Sequence, residues 1–401
     1  MLKFDSIDSM WSRSINERFA KVDKSFFFEL TPKILPLGEN TLHINCTDTT
    51  IKLDGEFLIL IFPYYDYDYK PFEIYRDKIL RVKADNSALS FSYNFESEQM
   101  YSILVGEETE TGISLLFKNY VYALANDMFS LKPLIGDLHC HTVHSDGLET
   151  AEGVIKAAIK HNFDFIAITD HNCYEGSEEA KILQHQFNYP ITVINGEEYS
   201  SSFTNMHIIS LGADSPLDKL HYLFEKNDEN SVESTFELTQ NLCMQITNNG
   251  GVSVMCHPLW KPFQRDGTRG DVPLSLVKQL MEANVFDAIE VVGGSPDGDN
   301  MTSHLQALWA MSFGATPDKT AYVGTTDSHI YSIDPICGKH FTMVFAEENT
   351  QEAIKEAIRQ KRTVAIQLVD ERNALCFGTP RLCMFAMFYL DLTKRIEHYS
   401  Y

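Results

Sequence analysis

The sequence predicts an α/β fold, its sheet either open or closed into a barrel, preceded by a smaller all-β, sandwich-like domain. Three observations predict it. From Pro133 onward, apolar β-branched runs alternate with helical segments, the pattern of a largely parallel sheet covered on both faces. Before that point, short strand-like segments recur with turn signals between them, as in antiparallel sandwiches. His, Asp and Glu also collect where the later apolar runs end, the rim on which such folds build their sites.

The first domain spans residues 1–132. Its predicted strands are 41–45, 57–62, 79–82, 89–93, 101–105 and 113–117, separated by turns such as Leu53-Asp54-Gly55 and Ala84-Asp85-Asn86. The run Tyr64-Tyr65-Asp66-Tyr67-Asp68-Tyr69 reads as an edge strand or loop with half-buried tyrosines. The second domain spans 133–366. Its strands are 134–138, 165–169, 191–195, 206–211, 252–256, 288–292 and 321–324, with an eighth at 341–346. Thr150 caps a helix that runs to His161. Ser215-Pro216 opens another, with Pro in the first helical position. Ser234 and Glu237 form a capping box, and Gly250 stops that helix. Only about ten residues join the third and fourth strands, too few for a crossover helix. A helix over 351–360 follows, and a tail over 367–401 reads as an amphipathic helix packing back on the body.

The charge narrows the function. Lys plus Arg is 33 and Asp plus Glu is 56, a formal net charge of −23 over 401 residues. Such a chain repels polyanions, which argues against bulk nucleic acid and anionic membranes, while its carboxylates suit metal cations. No apolar run approaches the roughly 18–20 residues of a membrane span. The start, MLKFDSIDSMWSRS, lacks a basic segment followed by an apolar one. Eight cysteines without any CxxC pair read as reduced thiols of a cytoplasmic protein. The oligomeric state stays open.

The polar residues at the strand ends carry the chemistry. The first strand ends in Asp137-Leu138-His139-Cys140-His141, and His139 and His141 share one face of an extended chain. A loop then supplies His144, Ser145, Asp146 and Gly147. Later strands end in Asp170-His171, Glu197-Glu198, His257-Pro258 and Asp327-Ser328-His329, and another begins at His207. Any one of these histidines alone is more often a hydrogen-bonded core residue. The joint pattern, each motif directly after an apolar strand, is what argues for metal. Imidazoles with carboxylates suit Zn, Mn or Fe, and the set is large enough for two or three divalent ions sharing a carboxylate. The remaining histidines, among them His340, read as background.

The segments DLHCHTVHSDG and FDFIAITDHN, followed by GEEYS, NMHIISLG, VMCHP and GTTDSH, resemble in order the motifs of the PHP (polymerase and histidinol phosphatase) family. The resemblance covers about residues 133–366. It implies a distorted (β/α)7 barrel around a trinuclear metal centre, and phosphoester hydrolysis as the usual activity. It further implies nine ligands. His139, His141, Glu198 and Asp327 would surround one ion, and Glu198 would bridge to a second completed by His207 and His257. Asp146, His171 and His329 would hold the third. Glu197 is the alternative to Glu198. Asp137 and Asp170 would orient imidazoles by accepting their free N–H. Cys140 and Cys256 read as packing residues.

The expected enzyme is a metal-dependent phosphatase or phosphodiesterase of small phosphate esters, such as a nucleotide or sugar phosphate. Its nucleophile would be a metal-bridging hydroxide, since bound water acidifies from about 15.7 to about 7. Asp327 counts among the catalytic groups, and His144 is the candidate acid for the leaving oxygen. Trp260, Lys261, Arg265 and Arg269, on one Gly- and Pro-containing loop, are candidate substrate contacts. Two other readings compete: a metallohydrolase of a non-phosphate ester, amide or carbamate, and a non-catalytic metal-binding module.

Overall fold

A computed structural model describes residues 28–47, 53–64, 75–110, 112–200, 206–217, 232–259, 272–293 and 303–396. The chain divides into two compact units, Met1–Ser130 and Leu131–Tyr401. The run 65–69 lies outside the described residues.

In the first unit, strands β1 (Phe28–Thr31), β2 (Ile34–Pro36), β3 (Gly38–Cys46), β4 (Glu56–Pro63), β5 (Leu80–Lys83), β6 (Ala88–Phe95), β7 (Gln99–Thr109) and β8 (Gly112–Leu124) form two sheets. Their orders are β1-β3-β6 and β2-β8-β7-β4-β5. Alternation sets the faces. In β3 and β6, Leu42, Ile44, Leu89 and Phe91 point inward, while Thr41 pairs with Ser92 and His43 with Ser90 outside. The inward residues share one core with Phe57, Ile59, Ile61, Ile103, Val105 and Val121 of the other sheet. β4 is buried on both faces because Leu60 and Phe62 also pack against Leu104. A short helix, α1 (Asn126–Phe129), ends the unit.

The second unit is mixed α/β. Its strands are β9 (Lys132–Asp137), β10 (Phe165–Ala167), β11 (Thr192–Ile194), β12 (Gly196–Ser200), β13 (His207–Leu211), β14 (Val252–Met255), β15 (Ala288–Val292), β16 (Ala321–Gly324), β17 (His340–Ala346), β18 (Thr363–Leu368) and β19 (Ala374–Phe377). The expected ring of seven parallel strands is distributed over two mixed sheets, β11-β10-β9-β17-β18-β19 and β12-β13-β14-β15-β16. β9, β10 and β11 are parallel, as are β14, β15 and β16. The link after β11 is too short for a helix. The chain instead forms β12, which pairs antiparallel with β13, and β13 is antiparallel to β14.

Helices α2 (Ala151–Lys160), α3 (Glu175–Phe187), α4 (Val232–Asn248), α5 (Leu274–Glu282), α6 (Ser303–Ser312), α7 (Gln351–Arg359) and α8 (Pro380–Leu392) complete the unit. Leu138, Phe165, Ile194, Val254 and Val323 form one buried cluster with Ile354 and Ile358 of α7. The Thr150 hydroxyl accepts the Gly153 N–H, as expected of a cap. Ser234 does not cap: it lies inside α4, which already includes Val232. The helix expected after Ser215-Pro216 falls outside the described residues beyond Leu217. The tail is not purely helical either. β18 and β19 extend the first sheet, and only then does α8 begin, so a boundary at 366 cuts through a strand. Among the described residues, no helix is long and apolar enough to cross a membrane.

Candidate metal centre

Backbone hydrogen bonds carry the strand ladder past the formal strand ends and align the motifs side by side. The His141 N–H donates to Ser328 O and the Asp327 N–H to His139 O, both at 2.9 Å. The Thr169 N–H donates to Cys140 O at 2.9 Å, and the Glu198 N–H to Asp170 O at 3.1 Å. Segments 327–329, 139–141, 169–171 and 197–199 thus lie in one row that joins the ends of both sheets. Two residues apart in extended chain, His139 and His141 face the same way, whereas Asp327 reaches them from a left-handed backbone, at a φ of +53°. His207 joins them from the start of its strand, because β13 runs antiparallel and begins at the rim where the parallel strands end.

Glu198 occupies the middle, with no solvent exposure. Its Oε1 is 2.8 Å from His207 Nδ1 and 3.2 Å from His257 Nε2. Its Oε2 is 3.3 Å from both His139 Nε2 and His141 Nε2, and 2.9 Å from His171 Nδ1. Asp327 Oδ1 lies 3.1 Å from each of the same two nitrogens, His139 Nε2 and His141 Nε2. Farther out, Asp146 Oδ1 is 3.3 Å from His329 Nε2, and its Oδ2 is 3.7 Å from His171 Nε2. The inner groups are buried, whereas the Asp146 side chain is 56% exposed and that of His329 38%. The loop carrying Asp146 turns back on His141 so closely that a Cβ on Gly147 would lie 2.5 Å from the His141 carbonyl.

The electrostatics follow from this crowding. Burial opposes charge on His139, but Asp327, Glu290 and Glu198 hold its imidazolium well above the ordinary range. Against the same burial, Asp327 and Glu198 raise His141 to about 9. Glu198, also resisted by burial, is held well below the carboxylate range by His139 and His207. Burial lowers His207 and outweighs Glu198 beside it. The cluster is a set of anions that draws positive charge onto the imidazoles around it, and metal cations can take the place of those protons.

Two observations test whether these groups fit metal ions. Glu198 Oε2 and His171 Nδ1 are buried and have no hydrogen-bond partner among the described residues, although they lie 2.9 Å apart: close, but not aligned for an N–H···O bond. Unsatisfied buried polar atoms are costly unless something else engages them. Moreover, donor atoms of His139, His141, Glu198 and Asp327 lie within 4.8 Å of one another, as do those of His141, Asp146, His171 and His329. The donor set is borderline imidazole and hard carboxylate, suited to Zn, Mn or Fe. The residues fit the ions.

Other expectations fare differently. Glu197 turns away and accepts the backbone N–H of Leu217. Among the described residues, Asp137 and Asp170 meet no imidazole ring. Asp137 accepts from the His139 and Thr326 N–H groups and from the Thr326 and Tyr331 hydroxyls. Asp170 accepts from Thr142 N–H, Thr142 Oγ1 and Ser145 Oγ. Both brace loops, and α3 approaches so closely that a Cβ on Gly176 would meet Asp170 Oδ2 at 2.0 Å. The carboxylate that does meet a ring N–H is Glu290, 2.7 Å from His139 Nδ1. Its one signal in the sequence is a charge inside the apolar run Ala288-Ile289-Glu290-Val291-Val292. Cys140 packs with its thiol on Ala167 O, whereas the Cys256 Sγ lies within 4.8 Å of donor atoms of Glu198 and His257, nearer the cluster than a packing role requires. His144 bonds Glu179 at 2.5 Å on the partly exposed side. Trp260, Lys261, Arg265 and Arg269 lie outside the described residues.

Residues 137–247 match the PHP domain family model. An uncharacterized protein of Methanocaldococcus jannaschii is 29% identical over 133 residues, 30% of this chain and 66% of that protein. A 5'-3' exoribonuclease of Haemophilus influenzae is 30% identical over 22% of this chain and 32% of its own length. The 5'-3' exoribonuclease Rnm of Salmonella typhimurium is 34% identical over 20% and 28%. The matched stretch thus spans less than two thirds of the first relative and about a third of the other two. Among solved structures, a two-domain Bacteroides vulgatus protein containing a predicted PHP-like metal-dependent phosphoesterase superimposes with a TM-score of 0.46 and 19% identity, over 64% of this chain and 71% of that one. A putative metal-dependent phosphoesterase of Bifidobacterium adolescentis gives 0.35 and 16%, over 49% and 88%.

Proposed function

We propose that the protein is a metal-dependent hydrolase of small phosphate esters, a phosphatase or phosphodiesterase. The observation that carries this reading is the position of Glu198, one carboxylate with each oxygen against a different group of imidazoles. His139, His141, Glu198 and Asp327 would hold one ion. Glu198, His207 and His257 would hold a second, and Asp146, His171 and His329 a third. Bound divalent ions supply Lewis acidity towards a phosphoryl group and an acidified water.

The chain's own residues do the rest. Glu198 and Asp327 set the negative charge that retains cations, and the buried inner rim excludes water from the ligands. The more exposed Asp146 and His329 leave the outer side open to substrate. His144, tied to Glu179, is available as a proton donor to a leaving oxygen. The location we propose, a reducing compartment such as the cytoplasm, rests on the sequence, whose eight cysteines form no CxxC pair. The exoribonuclease names of two partial relatives favour, as a second reading, a phosphodiester at the end of a nucleic acid.

Metal analysis of the purified protein, paired with a screen of phosphomonoesters and phosphodiesters with Mn or Zn, tests the reading. Chelation should abolish hydrolysis, read as phosphate release from monoesters and as monoester formation from diesters. His257→Ala should lower kcat/KM by more than the ~10–100-fold typical of losing an orienting group, with an unchanged circular dichroism spectrum. Wild-type turnover in that variant would end the assignment.

A further inference from the structure

Glu290 sits in the middle of β15, whose five residues are all buried, and it has no solvent exposure itself. A carboxylate placed there costs several kcal/mol unless its oxygens are engaged. Both are. Oε1 accepts from His139 Nδ1 at 2.7 Å and from Thr325 Oγ1 at 2.9 Å. Oε2 accepts the His257 backbone N–H at 2.7 Å. The pairing of β15 with β16 shifts register just after Glu290, and such bulges re-aim side chains beside functional sites.

The three donors belong to three different segments of the centre. His139 follows β9, His257 follows β14, and Thr325 precedes Asp327 by two residues. Donation from Nδ1 to Glu290 leaves Nε2, which faces Glu198 and Asp327, as the nitrogen that gives up its proton to a cation. The other oxygen holds the backbone of His257, whose φ of +21° lies outside the usual range for a residue with a side chain. That bond keeps His257 Nε2 aimed at Glu198.

We propose that Glu290 is the positioning residue of the metal centre: it touches neither ion nor substrate and sets cation affinity by locking His139 and His257 together. The proposal rests on the metal-centre reading above. The test uses full-length wild type, Glu290→Gln, Glu290→Ala and Thr325→Val, with Mn and Zn affinities from chelator competition and histidine tautomers from nitrogen-15 NMR of the Zn-loaded protein. A glutamine offers one acceptor oxygen, so it can serve His139 with Thr325, or His257, but not both. Glu290→Ala should weaken the tightest ion by ~10–100-fold and release the His139 tautomer. Glu290→Gln should fall between it and wild type, and Thr325→Val should stay near wild type.

Unchanged affinity and an unchanged tautomer in a folded Glu290→Gln overturn the proposal, as does a loss of stability with affinity intact. If Glu290→Ala does not fold, the glutamine variant decides. Wild type that binds neither metal would instead sink the metal-centre reading itself.

Discussion

His340 shows how a buried imidazole behaves when no carboxylate cluster engages it. It is nearly buried, and its Nδ1 has no hydrogen-bond partner among the described residues. Burial lowers it to about 4, with Lys339 adding to the effect and Asp334 opposing it. The sign follows from linkage. Between pH 4 and 6.5 the unfolded chain binds a proton that the folded chain refuses, so stability falls as pH drops through that window. The loss is on the order of 3 kcal/mol by pH 4. Urea midpoints of metal-free wild type and His340→Gln should therefore differ in their pH dependence between 6.5 and 4, and parallel curves would refute the account. The histidines of the centre behave oppositely where carboxylates overcome burial, and that division was legible in the sequence: His340 belonged to no strand-end motif. Alternation showed that one of Glu197 and Glu198 turns inward, and only the family resemblance chose Glu198. Glu290 was not legible. A lone charge in an apolar run does not say which ring it meets, since its partners lie 151 and 33 residues away. Asp137 and Asp170 were misread because adjacency in sequence suggested a ring partner, while the tight loops offered nearer backbone N–H groups.

Local chemistry placed the elements where it acted alone. Thr150 and Thr350 each accept an N–H three residues on, from Gly153 and Ala353, and the helices begin beside them. Thr150→Ala removes that acceptor and should cost about 1 kcal/mol. Denaturant unfolding should show the loss, while metal affinity stays at the wild-type value, because α2 contributes no member of the centre. A drop in metal content without the stability change would mean that the loop from Asp146 to Thr150, not the helix, was disturbed. The Ser234 box failed because a capping signal inside an amphipathic run yields to a helix that already continues upstream. The β18–β19 pair was hidden for a related reason. Leu375-Cys376-Phe377 is too short to display alternation, and its strand character comes from pairing with Ala365, Ile366 and Gln367. Tertiary hydrogen bonds decided there, and no periodicity within the segment could announce them.

Across the whole chain, the α/β class and the rim of His, Asp and Glu were readable because apolar strands and polar strand ends recur. The division into two sheets was not, because strand direction depends on links whose length alone is visible in sequence. Charge is the global property that bears on substrate. A net charge of −23 repels a polyanion in proportion to its length, whereas a small ester meets mainly the local field of the centre. The Debye length shrinks from about 30 Å at 0.01 M salt to about 10 Å at 0.1 M, so salt separates the two readings of substrate. For a nucleotide-sized ester, kcat/KM should change little across that range. For an RNA of about 20 nucleotides it should rise, as screening relieves repulsion. A protein that grips RNA phosphates through a basic track would show the reverse, with log affinity falling along log salt at about −0.7 per phosphate contacted. Lys261, Arg265 and Arg269 are the substrate contacts expected from the sequence, and so the cations to neutralise in that test. A steep fall with salt on RNA, lost on neutralising those three, would move the assignment to nucleic-acid ends; a rise on RNA with a flat response on the small ester keeps it on small phosphate esters.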